Sequence, residues 1–293
     1  MISRTVSFKN IEDNINLTID DDTSGIWITG IEGIYTYNAD VSTSDYSQTN
    51  GARYKNTRLP KRNIVVSGGI GETYHSYRQL LYRLFRPDSE GVFTYKEDDK
   101  DARLANYYAE KVSIDQQYDK SAFQASLICP DPFFYEKDPV TIRMSAWVSG
   151  FEFPHNFLEE GEELGRRSAT RIDEIANNNG VSGIGLTVTL KATGDVINPY
   201  IYLYETGERL SVGTSENPYT LTSSASVIIE TTGGKKGVTQ RASGIDTNIN
   251  SYLDPDSVFF QLLAGINTIG FGASAGTEYM DVTIQYRMRY LGV

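Results

Sequence analysis

A hydrophobic period of two dominates this chain. Near the C-terminus, apolar residues occupy positions 280, 282, 284, 286, 288 and 290, with polar residues at every position between them. Successive side chains of a β-strand point to opposite faces, so this alternation predicts a strand with one buried face. Residues 15–19, 123–129 and 184–190 alternate in the same way. The chain is therefore predicted to be mainly β.

One segment has helical spacing instead. Residues 73–85 carry apolar side chains at positions 74, 77, 80, 81, 84 and 85, and Pro87 follows. The pattern predicts a single amphipathic α-helix in the N-terminal half, capped by Thr73.

The proline-rich stretch after Cys129 predicts a domain boundary. At 293 residues the chain is long for one domain and comfortable for two. Pro130, Pro132 and Pro139 interrupt any continuous strand, so the boundary is placed near residue 137. We expect a β-rich domain over residues 1–137 and a β-sandwich over residues 138–293, because many short strands separated by Gly, Asn and Ser turns favour a sandwich.

The motif Gly272-Ala273-Ser274-Ala275-Gly276 matches the G-x-S-x-G pattern around the nucleophile of α/β-hydrolases. That arrangement requires a helix after the serine and a histidine further downstream. Both histidines of the chain, His75 and His155, precede Ser274, and an alternating strand follows it. The motif is interpreted as the connection of a β-hairpin, and no catalytic residue is predicted.

Bulk charge and cysteine content narrow the function further. A formal charge of −11 disfavours a general nucleic-acid binder. The single cysteine, Cys129, alternates onto the same face as Phe123 and Leu127, which predicts a buried structural thiol.

Neither His75 nor the acidic run 97–101 has metal-ligand spacing, so no metal or cofactor is predicted. The N-terminus has no signal-peptide core and no apolar run of membrane-spanning length occurs, so we expect synthesis in the cytoplasm without membrane insertion.

Residues 39–62 form a long polar stretch inside the first domain, and structureless segments of that length are usually functional or disordered. A loop that crosses a subunit boundary would explain it. Three interpretations of its basic residues stay open: a solvated loop, a contact with another subunit or a partner protein, and transient contact with DNA. The candidate interface residues are Tyr46, Arg53, Tyr54, Lys55, Arg58, Leu59, Lys61 and Arg62.

The order and spacing of several short motifs resemble the siphophage distal tail protein family, called Dit, over nearly the whole chain. The motifs are GARY (51–54), RLPKRNI (58–64), LFRP (84–87), DPFFY (131–135), FEFP (151–154), NG (179–180), LLAGINTI (262–269) and YRMRY (286–290).

The resemblance implies a non-enzymatic structural component of the phage tail tip. It implies an N-terminal domain that builds a homohexameric ring between the major tail tube protein and a tail-associated baseplate protein, with genomic DNA passing through. It also implies a galectin-like or carbohydrate-binding-like C-terminal sandwich, a scaffolding role toward receptor-binding proteins, and assembly in the host bacterial cytoplasm into the virion. The stretch after residue 181 is short for the arm by which some relatives grip a receptor-binding protein.

Two other functions compete with a structural ring. Tyr200, Tyr202 and Tyr204 alternate along a predicted strand, so they project from one face and could stack on a glycan in a carbohydrate-binding module, although tyrosines also suit protein contacts. A glycoside hydrolase would need two carboxylates across a cleft, and no such pair can be chosen from the sequence.

Overall fold

A computed structural model describes residues 3–71, 74–98, 100–115, 121–145, 147–149, 165–167, 172–178, 180–181 and 183–293. The described part of the chain is mainly β with one α-helix, which confirms the predicted fold class. It divides into a first unit, Met1–Asp138 with Arg289–Val293, and a second unit, Pro139–Met288. In the described part of the chain, no helix is long and apolar enough to cross a membrane.

The elements of the first unit are β1 (Arg4–Asn10), β2 (Ile15–Ile19), β3 (Ile26–Glu32), β4 (Asp40–Asp45), β5 (Ala52–Arg58), β6 (Arg62–Ile70), α1 (Tyr74–Leu84), β7 (Glu90–Glu97), β8 (Arg103–Asp115), β9 (Ser121–Cys129), β10 (Phe134–Glu136) and β25 (Arg289–Tyr290). One nine-stranded sheet has the strand order β2-β1-β7-β8-β9-β6-β3, with β10 paired to β8 and β25 paired to β10. All strand pairs in this unit are antiparallel.

The alternating residues of these strands form one hydrophobic core with the inner face of α1. Phe8 contacts Phe85 edge-on at 5.2 Å and Phe93 at 5.6 Å between ring centroids, and Leu81 and Leu84 are also buried. The predicted helix is present, while its Thr73 cap lies outside the described residues. Cys129 is fully buried in this core, as alternation predicts, and burial raises the pKa of its thiol to about 12.

The C-terminal residues return to the first unit. β25 pairs with β10 in the register Phe134 with Tyr290 and Tyr135 with Arg289. Residues 289–293 therefore belong to the first unit by their contacts, whereas the division at residue 137 assigns them to the second domain. The second unit is thus inserted between two strands that lie side by side.

The second unit has the paired sheets of a sandwich. Its elements are β11 (Val140–Ser145), β12 (Trp147–Ser149), β13 (Gly165–Arg167), β14 (Ile172–Asn178), β15 (Thr187–Ala192), β16 (Val196–Ile197), β17 (Tyr200–Leu203), β18 (Glu208–Ser211), β19 (Thr220–Leu221), β20 (Ala225–Glu230), β21 (Gly237–Ala242), β22 (Ile245–Asn248), β23 (Gly265–Gly272) and β24 (Met280–Tyr286), with short 3₁₀ turns at Asn250–Tyr252 and Thr277–Tyr279. A six-stranded sheet has the order β11-β24-β15-β20-β21-β22, and a four-stranded sheet has the order β14-β23-β17-β18.

The hairpin predicted around Ser274 is wrong. Strands lie on both sides of the GASAG motif, but β23 belongs to the four-stranded sheet and β24 to the six-stranded sheet. The motif therefore carries the chain from one sheet to the other. Both strands have a buried face, and each contributes its buried side chains to the core from a different sheet, as a two-layer sandwich requires.

Candidate assembly surface

The polar stretch predicted as a loop is an antiparallel β-hairpin. Among the described strands, β4 and β5 pair only with each other, in a two-stranded sheet separate from the main sheet of the first unit. The N–H of Tyr46 donates to the carbonyl of Gly51 at 3.2 Å and closes the turn, and Gly51 has φ of +106°. Six residues, 46–51, connect the two strands. A two-residue Asn-Gly turn needs a positive φ at both positions, and Asn50 is not among the residues with positive φ, so the Asn50-Gly51 dipeptide does not form that turn here.

The hairpin is exposed along its whole length. Every residue from 40 to 58 is exposed except the half-buried Ser44. A two-stranded hairpin is marginally stable alone in water, because it buries little apolar area. A surface that covers the hairpin and buries its apolar side chains would therefore stabilise it.

One face of the hairpin carries the two large apolar side chains of its strands, together with threonines and Asp45, and the opposite face carries polar and charged side chains. The register pairs Val41 with Thr57 and Thr43 with Tyr54, so these four side chains share one face, here called the Val41 face. Val41 and Tyr54 are 57% and 59% exposed. The opposite face carries Arg53 and Arg58, and Arg58 forms an exposed ion pair with Asp40 at 3.0 Å.

Seven of the eight candidate interface residues lie on this hairpin or on the segment that follows it. Tyr46 is at the turn, Lys55 lies beside the register shift of the hairpin, and Leu59 and Lys61 connect β5 to β6. Leu59 is half-buried, and the other six are exposed. Val41 was missed by sequence reasoning because β4 contains no second apolar residue to reveal a period.

Arg62 differs from the other candidates because it is buried, with 6% of its surface exposed. Its guanidinium donates to the carbonyls of Pro132 at 2.7 Å, Gly33 at 2.6 Å and Thr36 at 2.7 Å, and also to the carbonyl of Leu291.

The guanidinium carbon of Arg62 also lies 4.7 Å from the ring centroid of Phe134. Burial lowers its pKa, but a guanidinium stays charged in proteins. Because all its contacts lie within the first unit, Arg62 stabilises the fold and is left out of the assembly surface.

The tyrosine row of the second unit is not a flat platform. Tyr200, Tyr202 and Tyr204 are half-buried on one side of β17 and its extension. The guanidinium carbon of Arg209 lies 3.7 Å from the ring centroid of Tyr200, and the rings of Tyr202 and Tyr204 meet edge-on at 4.9 Å. One face of the Tyr200 ring is thus occupied by Arg209, and Tyr202 and Tyr204 meet edge to face instead of lying in one plane.

Ser274 has none of the geometry of a hydrolase nucleophile. The nucleophile elbow is a strained turn followed by a helix. Ser274 is exposed, its N–H donates to the carbonyl of Ile197 at 2.8 Å, and it is not among the residues with positive φ. In place of the α-helix that follows a nucleophile elbow, the serine is followed by the three-residue 3₁₀ turn Thr277–Tyr279. Among the described residues, no group of three or more His, Cys, Asp or Glu is placed to hold a metal ion.

Comparisons with known proteins agree across both units. A family model described as a phage tail protein RIFT-related domain matches residues 11–129, and one described as a siphovirus-type tail component, C-terminal domain, matches residues 179–290. No curated protein matches the chain in sequence.

Two solved structures share the fold over essentially the whole length. The Dit protein (gp 19.1) of phage SPP1, described as a paradigm of the hub adsorption apparatus in phages infecting Gram-positive bacteria, has a TM-score of 0.66 at 14% identity, covering 97% of this chain and 99% of that one. The phage P2 baseplate in its activated conformation with Ca has a TM-score of 0.57 at 9% identity, with full coverage of both chains.

Proposed function

Because the chain belongs to the siphophage distal tail protein family, and is thus a structural component of a phage tail tip, we propose that it assembles into a closed homohexameric ring through the β4–β5 hairpin of the first unit. The observation that carries this proposal is the Val41 face of the hairpin. It presents apolar side chains to solvent on an element that no other strand of the described chain covers.

The physical argument rests on chain entropy. Ordering each residue costs about 1–2 kcal/mol, and a hairpin that buries nothing recovers little of it. Docking the Val41 face on a neighbouring copy buries Val41 and Tyr54 and offsets that cost. The contact uses different patches on the two partners, and such heterologous contacts form a ring when the rotation closes.

The ring has two further partners in this proposal. One face meets the major tail tube protein and the other meets the tail-associated baseplate protein, while the second unit provides a scaffold for receptor-binding proteins. A chain with a formal charge of −11 gives the central opening a negative potential, which lets genomic DNA pass without adhering. The protein is made and assembled in the host cytoplasm and resides in the virion.

We assign no enzymatic activity to the chain. The backbone at Ser274 supports this, because Ser274 does not have the positive φ of the strained turn that holds a nucleophilic serine, and its N–H is bonded to the carbonyl of Ile197. Glycan stacking on the tyrosine row is not proposed either, because Arg209 occupies one face of the Tyr200 ring, and the Tyr202 and Tyr204 rings are perpendicular to each other and do not form a flat platform.

Light scattering and negative-stain electron microscopy of the full-length protein test the ring. The wild type is expected to form rings at micromolar concentration or on addition of its tail tube partner. A Val41→Ser, Tyr54→Ser variant is expected to remain monomeric, because both changes remove apolar contact area without altering the strand pairing. Deletion of residues 45–58 should also abolish the ring while leaving the second unit folded.

Tyr279→Ser is the matched control. Tyr279 is 42% exposed on the second unit, so its loss removes an exposed aromatic ring without touching the hairpin. The proposal is wrong if the hairpin variant forms rings as readily as the control. It is also wrong if wild-type protein with its tail tube partner shows no ring at all.

A further inference from the structure

A groove lies between the two end strands of the nine-stranded sheet in the first unit. β2 and β3 follow each other in the chain and are joined by residues 20–25, but among the described strands β2 pairs only with β1 and β3 only with β6. The groove between them, here called the β2–β3 groove, has a volume of about 410 Å³. Each of the two strands therefore has one edge whose backbone N–H and C=O groups no strand of the described chain covers.

The β2–β3 groove has an apolar floor and an acidic end. Ile28 and Ile31 of β3 line it, are half-buried and pack against the core of the unit. Asp20 and Asp21 line the end where β2 and β3 join, and both are exposed. The floor consists of lining side chains that are 3% exposed or less, namely Val6, Ile19, Ile34 and Tyr95. A segment that fills the groove must present apolar side chains inward and polar side chains outward.

The charge at the acidic end is opposite to that of the β4–β5 hairpin. Residues 20–22 are three consecutive aspartates, and Arg4, the cation among the described lining residues, is paired with Glu97 at 3.9 Å. Strand β5 carries three cations and no acidic residue. No ion pair of the described chain involves Arg53 or Lys55. The cations of the hairpin thus complement the carboxylates of the groove.

We propose that the β4–β5 hairpin of a neighbouring copy fills this groove, with its Val41 face toward the apolar floor and the cations of β5 near the carboxylates at positions 20–22. This inference rests on the proposed ring and names the surface that receives the hairpin. Each strand of the hairpin has one free edge, so the hairpin can extend the sheet at β2 or β3 while Val41 and Tyr54 cover the floor. Its opposite face, which is polar, then meets solvent.

The structure favours a neighbouring copy over the same copy as the source of the hairpin. Residues 40–58 are all exposed except Ser44, so the hairpin does not fill the groove of its own chain. Arg62 donates to the carbonyls of Gly33 and Thr36 and so fixes the segment that leads into the hairpin. Docking therefore orders few additional residues and costs little chain entropy. Each copy gives one hairpin and receives one, which is the heterologous contact that a closed ring requires.

Gly30→Trp tests the inference by filling the groove. Gly30 lines the groove, has no positive φ, and a Cβ built on it has no other atom within 4 Å, so a large side chain can be placed there without a change of fold. Under conditions in which the full-length wild type forms rings, we expect this variant to be monomeric by light scattering and negative-stain electron microscopy. Gly233→Trp is the matched control and should form rings, because Gly233 offers the same open space on the second unit.

A mixture of two defective copies tests whether hairpin and groove are partners. The Val41→Ser, Tyr54→Ser variant keeps its groove, and Gly30→Trp keeps its hairpin. Each should be monomeric alone. Native mass spectrometry of their equimolar mixture after chemical cross-linking should show heterodimers and no ring, because each pair of copies contains one intact contact and cannot extend it.

Asp21→Lys tests the charge of the groove by a change that is independent of its volume. Asp21 is exposed, so the fold should be unchanged. The protein concentration needed for ring formation should rise about fivefold at low salt and less at high salt, as expected for exposed charge pairs. If circular dichroism shows that Gly30→Trp does not fold, Asp21→Lys decides the question, and unchanged ring formation overturns the inference.

The outcomes separate this inference from the proposed ring. The inference is overturned while the ring stands if folded Gly30→Trp forms rings as readily as Gly233→Trp, or if the mixture shows no heterodimer. If the Val41→Ser, Tyr54→Ser variant forms rings, or if the wild type forms none with its tail tube partner, ring assembly through the hairpin is wrong and this inference fails with it.

Discussion

Arg62→Met is expected to destabilise the first unit strongly, because it removes a side chain that donates to four carbonyls from three separated backbone segments. The guanidinium of Arg62 contacts carbonyls at positions 33, 36, 132 and 291, and methionine supplies no donor to any of them. Methionine fills a similar volume, so the change tests the hydrogen bonds and the charge more than the packing.

The magnitude follows from the number and type of these bonds. A hydrogen bond to a charged group contributes about 1.5–3 kcal/mol, and contributions from one group are not additive. Leaving a buried carbonyl without its donor costs about 1–3 kcal/mol, and Arg62→Met leaves several carbonyls without one. We expect a loss of about 3–5 kcal/mol, which lowers the melting temperature of a unit of this size by about 10 °C or more.

The assay uses the two tryptophans of the chain, Trp27 and Trp147. In a Trp147→Phe background, the fluorescence of Trp27 reports unfolding of the first unit alone, since Trp27 lies on β3 against Gly69. Arg58→Met is the control, because Arg58 is exposed and makes one ion pair, which contributes little.

A destabilisation below about 1 kcal/mol for Arg62→Met would refute the reasoning, since ordinary surface changes fall in that range. Arg62→Lys should be intermediate, because an ammonium keeps the charge but cannot reach four carbonyls from one planar group. Carboxypeptidase digestion of the Arg62→Met protein should also be faster, because the carbonyl of Leu291 loses its donor.

Three further outcomes are expected. Gly276→Ala should lower the melting temperature of the second unit, measured by circular dichroism, whereas Ser274→Ala should leave it unchanged. Gly276 has φ of +80°, and a Cβ added there would lie 2.3 Å from a backbone oxygen. Equal effects of the two changes would contradict this. Burial raises the pKa of Cys129 to about 12, and burial with the hydrogen bond to Glu136 raises that of Tyr290 to about 12. Because the unfolded chain releases these protons at lower pH, the free energy of unfolding should fall as pH rises from about 9 through 12. The fall should be smaller in Cys129→Ala, as measured by urea unfolding at several pH values. A free energy of unfolding that does not change over this pH range would contradict this. A fragment of residues 139–288 should give one cooperative thermal transition, and an unfolded fragment would show that the second unit depends on the first.

The sequence predicts those features that depend on local periodicity. Phe123, Leu127 and Cys129 alternate onto one buried face of β9, and the helical spacing of residues 73–85 matches α1. In both cases the chain's own core covers one face of the element, and that burial imposes a period on the sequence. The period reveals which face is buried, but it carries no information about which strand is the neighbour.

The wrong hairpin around Ser274 follows from that limit. β23 and β24 are consecutive and both half-buried, which is also the pattern of a hairpin. Their neighbours are β14, β17, β11 and β15, which lie far along the chain. Partner choice is thus a non-local property, and a short glycine-rich connection is compatible with either arrangement.

Arg62 and the β4–β5 hairpin are two further features that could not be predicted from the sequence. Arg58 and Arg62 stand in the same basic cluster, and only carbonyls from distant positions make one of them part of the core. In the hairpin neither face is covered by the chain itself, so no burial imposes a hydrophobic period on β5, whose residues are all exposed. A strand that is buried only in an assembly needs no hydrophobic period in its sequence. An interface of modest area depends on a few apolar anchors such as Val41 and Tyr54, and the other positions of the strand can be polar. The absence of alternation that made residues 39–62 look like a loop is therefore consistent with a strand whose partner is another molecule.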